Sequence, residues 1–218
     1  MRFFLFEKLT LYRQKSFYIE IQTLFTLILQ TYMADNQNKP ISYSRTVITE
    51  LMLPTHPNID GKMLGDVLLN LMNKAAFTCA TRHANNFCVT VSVDDVEFTQ
   101  PIEVGDFVSF KASVNYVGNS SMIIGVRIEA ESLKTGVIKH TGSGYFTMVA
   151  KDEYGRPTQA PGVVLENEDD IRRFLAAMIR KEAKLLSKVQ MSDKIKKINV
   201  FEDIKKLKKE RCEIGFEW

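Results

Sequence analysis

Asp66, Asn70 and Asn73 are the residues of this chain whose types and spacing most readily do chemistry. At about 100° per residue of helix they share one face. A carboxylate and two amides grouped in this way can bind water, hold a polar ligand or move a proton. A solvated helix face would look the same, although two asparagines inside a helix cost propensity that an ordinary surface would spare. Cys79 falls on the opposite, apolar face with no histidine evidently paired to it, and reads as a buried structural thiol rather than a nucleophile. The histidines, His56, His83 and His140, form no HExxH or paired Cys/His pattern, and Cys79, Cys88 and Cys212 form no CxxC. No metal site is expected. Three widely spaced cysteines fit reduced thiols in a cytoplasmic protein.

These residues need a scaffold. Lys62–Arg82 carries apolar residues at helical spacing (Leu64, Val67, Leu68, Leu71, Ala75 and Cys79), which predicts one long helix. Before it, TVITELML over Thr46–Leu53 reads as a strand ended by Pro54 and Pro57. After it the period changes to two. Strands are predicted over Phe87–Phe98, Phe107–Tyr116, Met122–Glu131 and His140–Ala150, with turns at Gly118-Asn119-Ser120 and Lys134-Thr135-Gly136. Four regularly spaced strands with short turns predict one antiparallel sheet, so the class is α+β. One helix against one sheet leaves an edge strand open, and at least a dimer is expected.

The two ends differ from this middle. Residues 1–44 are read as an N-terminal extension, 45–165 as the domain, and 166–218 as a C-terminal helix with a basic tail. Residues 1–32 have the wrong charge order for a signal peptide and too many charges for an anchor, so the expected start lies near Met33. Asn167 or Asp169 is expected to cap a late helix striped with Ile171, Phe174, Leu175, Met178 and Ile179. Asp193–Lys209 holds seven lysines punctuated by Ile195, Ile198, Phe201, Ile204 and Leu207. A solvated amphipathic helix is the plainer reading of that tail, and a membrane or nucleic-acid contact the sharper one.

The composition is that of a globular protein: 218 residues, 45% hydrophobic, 25% charged, net charge +3. A nucleic-acid function would rest on the lysine tail alone, and no such partner is expected. No stable membrane insertion is expected either.

Leu53-Pro54, Asn58, Gly61, Gly65, Met72, Arg82-His83, Val89–Asp94, Phe98, Pro101, Gly105-Asp106, Ser120–Met122, Tyr145–Ala150 and Asp152–Pro157 together resemble the motifs of the cytosolic acyl-coenzyme A thioesterase family. The resemblance spans about residues 45–180. It implies the hotdog fold, in which an antiparallel sheet wraps one long central helix. It also implies acyl-CoA as substrate, water as acceptor, no cofactor or metal, and hotdog dimers assembled as trimers of dimers with the site at the dimer interface.

Thioester hydrolysis needs a stabilised carbonyl oxygen and an aligned, deprotonated water. The first N–H groups of a helix sit at its positive end without internal partners, so those of Gly65 and Asp66 are candidate oxyanion donors. Asn58 orients the carbonyl or the water in the resemblance, and an asparagine there could equally cap the helix. The family's acid falls at Asn73, where a neutral amide lacks a carboxylate's basicity. Three accounts follow: Asp66 supplies the carboxylate from seven residues earlier, catalysis is weak and rests on positioning, or the protein binds acyl-CoA without hydrolysing it. A hotdog dehydratase acting on carrier-protein thioesters would want a histidine on that helix face, and there is none. Arg82 and His83 are candidate contacts for CoA phosphates, or a cap for the helix C-terminus. Thr90, Ser92, Ser120 and Ser121 complete the candidate substrate contacts.

Overall fold

The computed structural model describes residues 22, 24, 38–53 and 62–215. Apart from Gln22 and Leu24, the expectations for residues 1–32 lie outside these, as do those for a start at Met33 and for Pro54, Pro57 and Asn58. The chain forms β1 (Lys39–Pro40), α1 (Ile41–Ser44), β2 (Thr46–Leu51), α2 (Gly65–Ala84), β3 (Cys88–Phe98), β4 (Phe107–Val117), β5 (Ser121–Glu131), β6 (Ile138–Ala150), β7 (Val163–Val164), α3 (Glu168–Lys196) and α4 (Val200–Asp203), followed by a 3₁₀ turn over Ile204–Lys209. The five long strands make one antiparallel sheet in the order β2-β4-β5-β6-β3. β1 and β7 pair in parallel beside it.

Alternation decides which strand residues face inward. Val108, Phe110, Ala112 and Val114 of β4, Met122, Ile124, Val126 and Ile128 of β5, and Phe146, Met148 and Ala150 of β6 are buried. α2 lies across that face and completes a hotdog arrangement. Leu68, Ala75 and Cys79 are buried as expected, but the buried side is rotated away from the rest of the expected face. Leu64 is the N-cap and 41% exposed, and Val67 and Leu71 are half-buried. The centre of the contact is Leu68, Met72, Ala75, Ala76, Cys79 and Ala80. Three alanines let helix and sheet approach closely, so the helix turns its small side inward. Glycine does the same on β6. A Cβ at Gly144 would lie 2.8 Å from Met72 Cε, and one at Gly142 would lie 2.6 Å from the Glu97 carbonyl oxygen.

α2 starts at Gly65 rather than Lys62 because the preceding residues are held by the segment between β3 and β4. Met63 N–H donates to Ile102 O at 3.0 Å, and Lys62 bridges to Glu103. It ends at Asn85, whose φ of 52° is left-handed and stops the helix. The domain also begins earlier than residue 45. Ile41 is 1% exposed, and Lys39 Nζ donates to His83 O at 2.9 Å, so Lys39–Ser44 pack with the sheet and helix.

The compact units divide at Phe174/Leu175. Of the two expected caps for α3, Asn167 serves: its Oδ1 accepts from Asp170 N–H at 3.0 Å. The single amphipathic helix expected over Asp193–Lys209 is broken, since α3 ends at Lys196. Asn199 Oδ1 then accepts from Phe201 N–H at 3.2 Å and starts α4 anew.

Cys79 and Cys88 lie inside this core, and burial pushes their thiols up to about 12 and about 11. Cys212 is exposed. Native protein is therefore expected to give one fast-reacting thiol per chain with a disulfide reagent, and three after denaturation. Two or more fast thiols in the native state would contradict this packing.

Candidate active site

α2 carries the candidate chemistry, and its two flanks do different things. Gly65 and Asp66 supply the first two N–H groups of the helix, which by position have no intrahelical acceptor. A Cβ at Gly65 would meet only the Phe98 ring, at 3.4 Å in ordinary contact, so the chain's own packing does not demand a glycine there. The Asp66 carboxylate turns back on the helix end, where Oδ1 accepts from Val67 N–H at 2.7 Å. With Glu50, Asn70 and Lys74 it borders a cleft of about 400 Å³ whose apolar lining includes Met52, Met63, Val67 and Leu71. Glu50 and Lys74 escaped the sequence reading, although Lys74 continues the Asp66–Asn70 spacing by one more turn.

Asn73 leaves that group. It faces the other flank of the helix, where Thr90 of β3 donates its hydroxyl hydrogen to Asn73 Oδ1 at 2.7 Å. Thr90 Oγ1 also lies 3.2 Å from Met148 Sδ. With its carbonyl oxygen engaged, the Asn73 amide presents its NH₂ as a donor. The expected stripe of Asp66, Asn70 and Asn73 is thus divided: two residues turn to the β2 side and one to β3. In the account in which Asp66 supplies the carboxylate, it would act in the cleft on the β2 side, away from Asn73 and Thr90.

Thr90 and Ser92 are also parted. The β3–β6 register shifts between them, so Thr90 opposes the inward Met148 while Ser92 opposes the outward Thr147. Ser92 Oγ donates to Asp94 Oδ2 at 2.7 Å on the sheet's outer side. A bulge inserts one residue and reverses the facing of the next. Ser92 is therefore parted from Thr90 and joins an outer-face network with Asp94 and Thr147.

His83 is set apart as well. It is fully buried, with Nδ1 3.2 Å from Ser44 Oγ and Nε2 3.0 Å from Pro161 O. It ties α2 to α1 and to the segment before β7, and is not presented to a phosphate; Asn85 rather than His83 ends the helix. Arg82 is exposed, and its NH1 donates to Thr46 Oγ1 at 3.2 Å. Ser120 and Ser121 bond through backbone groups: Ser121 O accepts from Gly118 N–H at 2.7 Å within the β4–β5 hairpin, and Ser120 O accepts from Ala150 N–H of β6 at 2.9 Å. Among the described residues no cluster of three or more His, Cys, Asp or Glu is arranged to hold a metal ion.

Burial lowers the His83 pKa below its ordinary 6.5, the Pro161 carbonyl opposing this and the Lys39 charge adding to it. The folded state keeps the ring neutral while the unfolded chain binds a proton below about pH 6.5. Stability from His83 is therefore complete above that pH and is lost as pH falls below it, by at most about 1.4 kcal/mol per pH unit. The folded-state carboxylates held low, Glu129 by Lys111 and Arg127, and Glu166 by Ser42, act only at more acid pH. Urea denaturation midpoints are expected to fall between pH 7.5 and 5.5, and to be flatter over that range in His83→Gln. An equal slope in the variant would show that another group carries it.

A family model of the thioesterase superfamily matches residues 61–137. Protein VdlD of Helicobacter pylori is 45% identical over 139 residues, which cover 64% of this chain and 79% of that protein. The uncharacterized acyl-CoA thioester hydrolase YkhA of Bacillus subtilis is 34% identical over 137 residues, covering 63% and 80%. Among solved structures, the acyl-CoA hydrolase of Staphylococcus aureus, in complex with butyryl coenzyme A, coenzyme A and coenzyme A disulfide, superposes with a TM-score of 0.67 at 28% identity, over 73% of this chain and 97% of that one. A hexameric acyl-CoA thioesterase superposes with a TM-score of 0.66 at 36% identity, over 67% and 94%. Three solved variants of the S. aureus hydrolase replace an asparagine, an aspartate and a threonine by alanine, at the mutual spacing of Asn58, Asn73 and Thr90 here. With its helix wrapped by a five-stranded sheet and these relatives, the chain belongs to the acyl-CoA thioester hydrolase family of the thioesterase superfamily.

Proposed function

We propose that this protein hydrolyses fatty acyl-CoA to free fatty acid and CoA by attack of water, without a cofactor. The observation that supports it best is the Asn73–Thr90 hydrogen bond at 2.7 Å. It joins two of the three positions whose spacing matches the residues replaced in the S. aureus hydrolase. In this reading the N–H groups of Gly65 and Asp66 stabilise the oxyanion. Asn58, outside the described residues, orients carbonyl or water. Thr90 fixes the Asn73 amide so that its NH₂ donates toward the reacting atoms. The thiolate of CoA leaves and takes the proton from water. Arg82, Ser120 and Ser121 remain candidate contacts for the phosphates and nucleotide of CoA. The acyl-CoA substrate and the buried thiols suit a cytoplasmic setting.

The working unit in this reading is a dimer. β3 is an edge strand 11 residues long, and its Val91 and Val93 are 57% and 43% exposed. Long apolar edges call for a partner, and a second copy pairing β3 to β3 would cover it. That pairing brings a second protomer to the Asn73–Thr90 flank and completes the site, and dimers assemble further as trimers of dimers.

A second reading is a protein that binds acyl-CoA with little turnover. The amide at Asn73, where the S. aureus hydrolase has an aspartate, favours it. CoA release measured with the unmodified chain and with Thr90→Val separates the two. Hydrolysis that falls about tenfold or more in the variant supports the first reading; equal rates in both would place the chemistry elsewhere.

A further inference from the structure

None of the site residues named above lies in the C-terminal unit, Leu175–Trp218. It holds twelve Lys and Arg against seven Asp and Glu, a net of +5 in a chain whose whole net charge is +3. The rest of the chain is therefore net negative, and the positive charge is gathered in the C-terminal unit.

Within α3 the charge and the apolar residues are sorted. At about 100° per residue, Leu175, Met178, Ile179, Leu185, Leu186 and Val189 fall within an arc of about 120°. Arg180, Lys181, Lys184 and Lys188 fall on the other side. Glu182 interrupts the apolar arc and divides it into two patches. All six apolar residues of the arc are exposed; Ile179 is 67% and Leu186 63% exposed. Beyond α3 the pattern continues. Phe201 is 77% exposed, and Ile198, Val200, Ile204, Leu207 and Ile214 line an apolar crevice of about 310 Å³ in a segment carrying Lys205, Lys206, Lys208 and Lys209.

We propose that Leu175–Gly215 docks on an anionic lipid bilayer, lying on its surface. Among the described residues no helix is long and apolar enough to cross a membrane. A helix of low net hydrophobicity with an apolar stripe and a basic face matches instead the physics of interfacial binding. Its apolar side enters the headgroup boundary, and lysines contribute about 1 kcal/mol each near an anionic surface. The charge selects the partner: a second copy of this unit would bring +5 against +5, whereas an anionic bilayer is complementary to it. Docking there would hold the protein where long-chain amphiphiles partition. The proposal does not depend on hydrolysis, because it is read by binding alone.

The test is flotation of the full chain with phosphatidylcholine vesicles, with and without phosphatidylglycerol. The chain is expected to float with the anionic vesicles only. Its partition coefficient should drop by about tenfold or more on raising salt from about 0.1 M to about 0.5 M. A Lys181→Glu, Lys184→Glu, Lys188→Glu variant should lose at least as much, and Ile179→Glu, Leu186→Glu should also release the protein. Continued protection of Cys79 and Cys88 from thiol reagents reports that each variant is folded. Failure to bind anionic vesicles, or equal binding to neutral ones, overturns the proposal. So does a result in which Ile179→Glu, Leu186→Glu leaves flotation intact and instead lowers the mass in sedimentation velocity, because the apolar face would then meet a second copy.

Discussion

Replacing Asn73 with aspartate is expected to raise kcat for acyl-CoA hydrolysis by about a hundredfold or more, within the range that a positioned general base contributes. The reason lies in the polarity of the hydrogen bond at this position. In the natural chain Thr90 donates to Asn73 Oδ1 at 2.7 Å, leaving an NH₂ group that can hold water but cannot take its proton. A carboxylate at the same place keeps the Thr90 hydrogen bond and gains a second oxygen able to accept the proton. The Thr90 hydroxyl favours the charged form of that group, so the variant should also acquire an acid limb in its pH–rate profile that the natural chain lacks. The substitution changes no volume to speak of, and stability should be nearly unaffected. If kcat stays within about twofold, the base is supplied elsewhere and the role given to Asn73 fails.

The largest expected effect on stability is that of Phe146→Ala, at about 3–5 kcal/mol. Phe146 is fully buried on β6, between β5 and β3 in the sheet, and it lies in the core that α2 covers. Removing the ring leaves a cavity that neither the sheet ladder nor the alanine side of the helix can collapse to fill. Against a total stability of about 5–15 kcal/mol, such a loss takes a large share of the fold. Chemical denaturation of the two proteins at pH 7.5 measures it. A difference under about 1 kcal/mol would show that this part of the interior repacks freely.

Much of the architecture is legible in the chain because strand alternation is local. CVTVSVDDVEF, FVSFKASVNYV and SMIIGVRIEAE declare their period, and the strands lie close to where it puts them. The α2 contact was less legible. Hydropathy puts Leu64 and Val67 in the core beside Ala75, whereas the close approach is made by Ala75 together with Ala76 and Ala80, whose contribution is their smallness. The candidate site shows the same limit. Asn73 and Thr90 could be named from motif context, but their contact needs the β3 edge to fold beside α2. The opposite facing of Ser92 needs a bulge that leaves no mark in composition. The place of His83, neither a phosphate contact nor the helix cap, depends on Ser44 and Pro161 from distant parts of the chain. Burial of a polar ring is legible only once those partners are known.

CoA release by the unmodified full chain tests the central claim most directly, with acyl-CoAs from butyryl to palmitoyl and saturable binding of each followed in parallel. The account predicts catalytic CoA release, many turnovers per chain, without added metal or cofactor. Saturable binding of every acyl-CoA with no release above the uncatalysed rate would contradict it, and would make this a protein that holds acyl-CoA on a thioesterase fold.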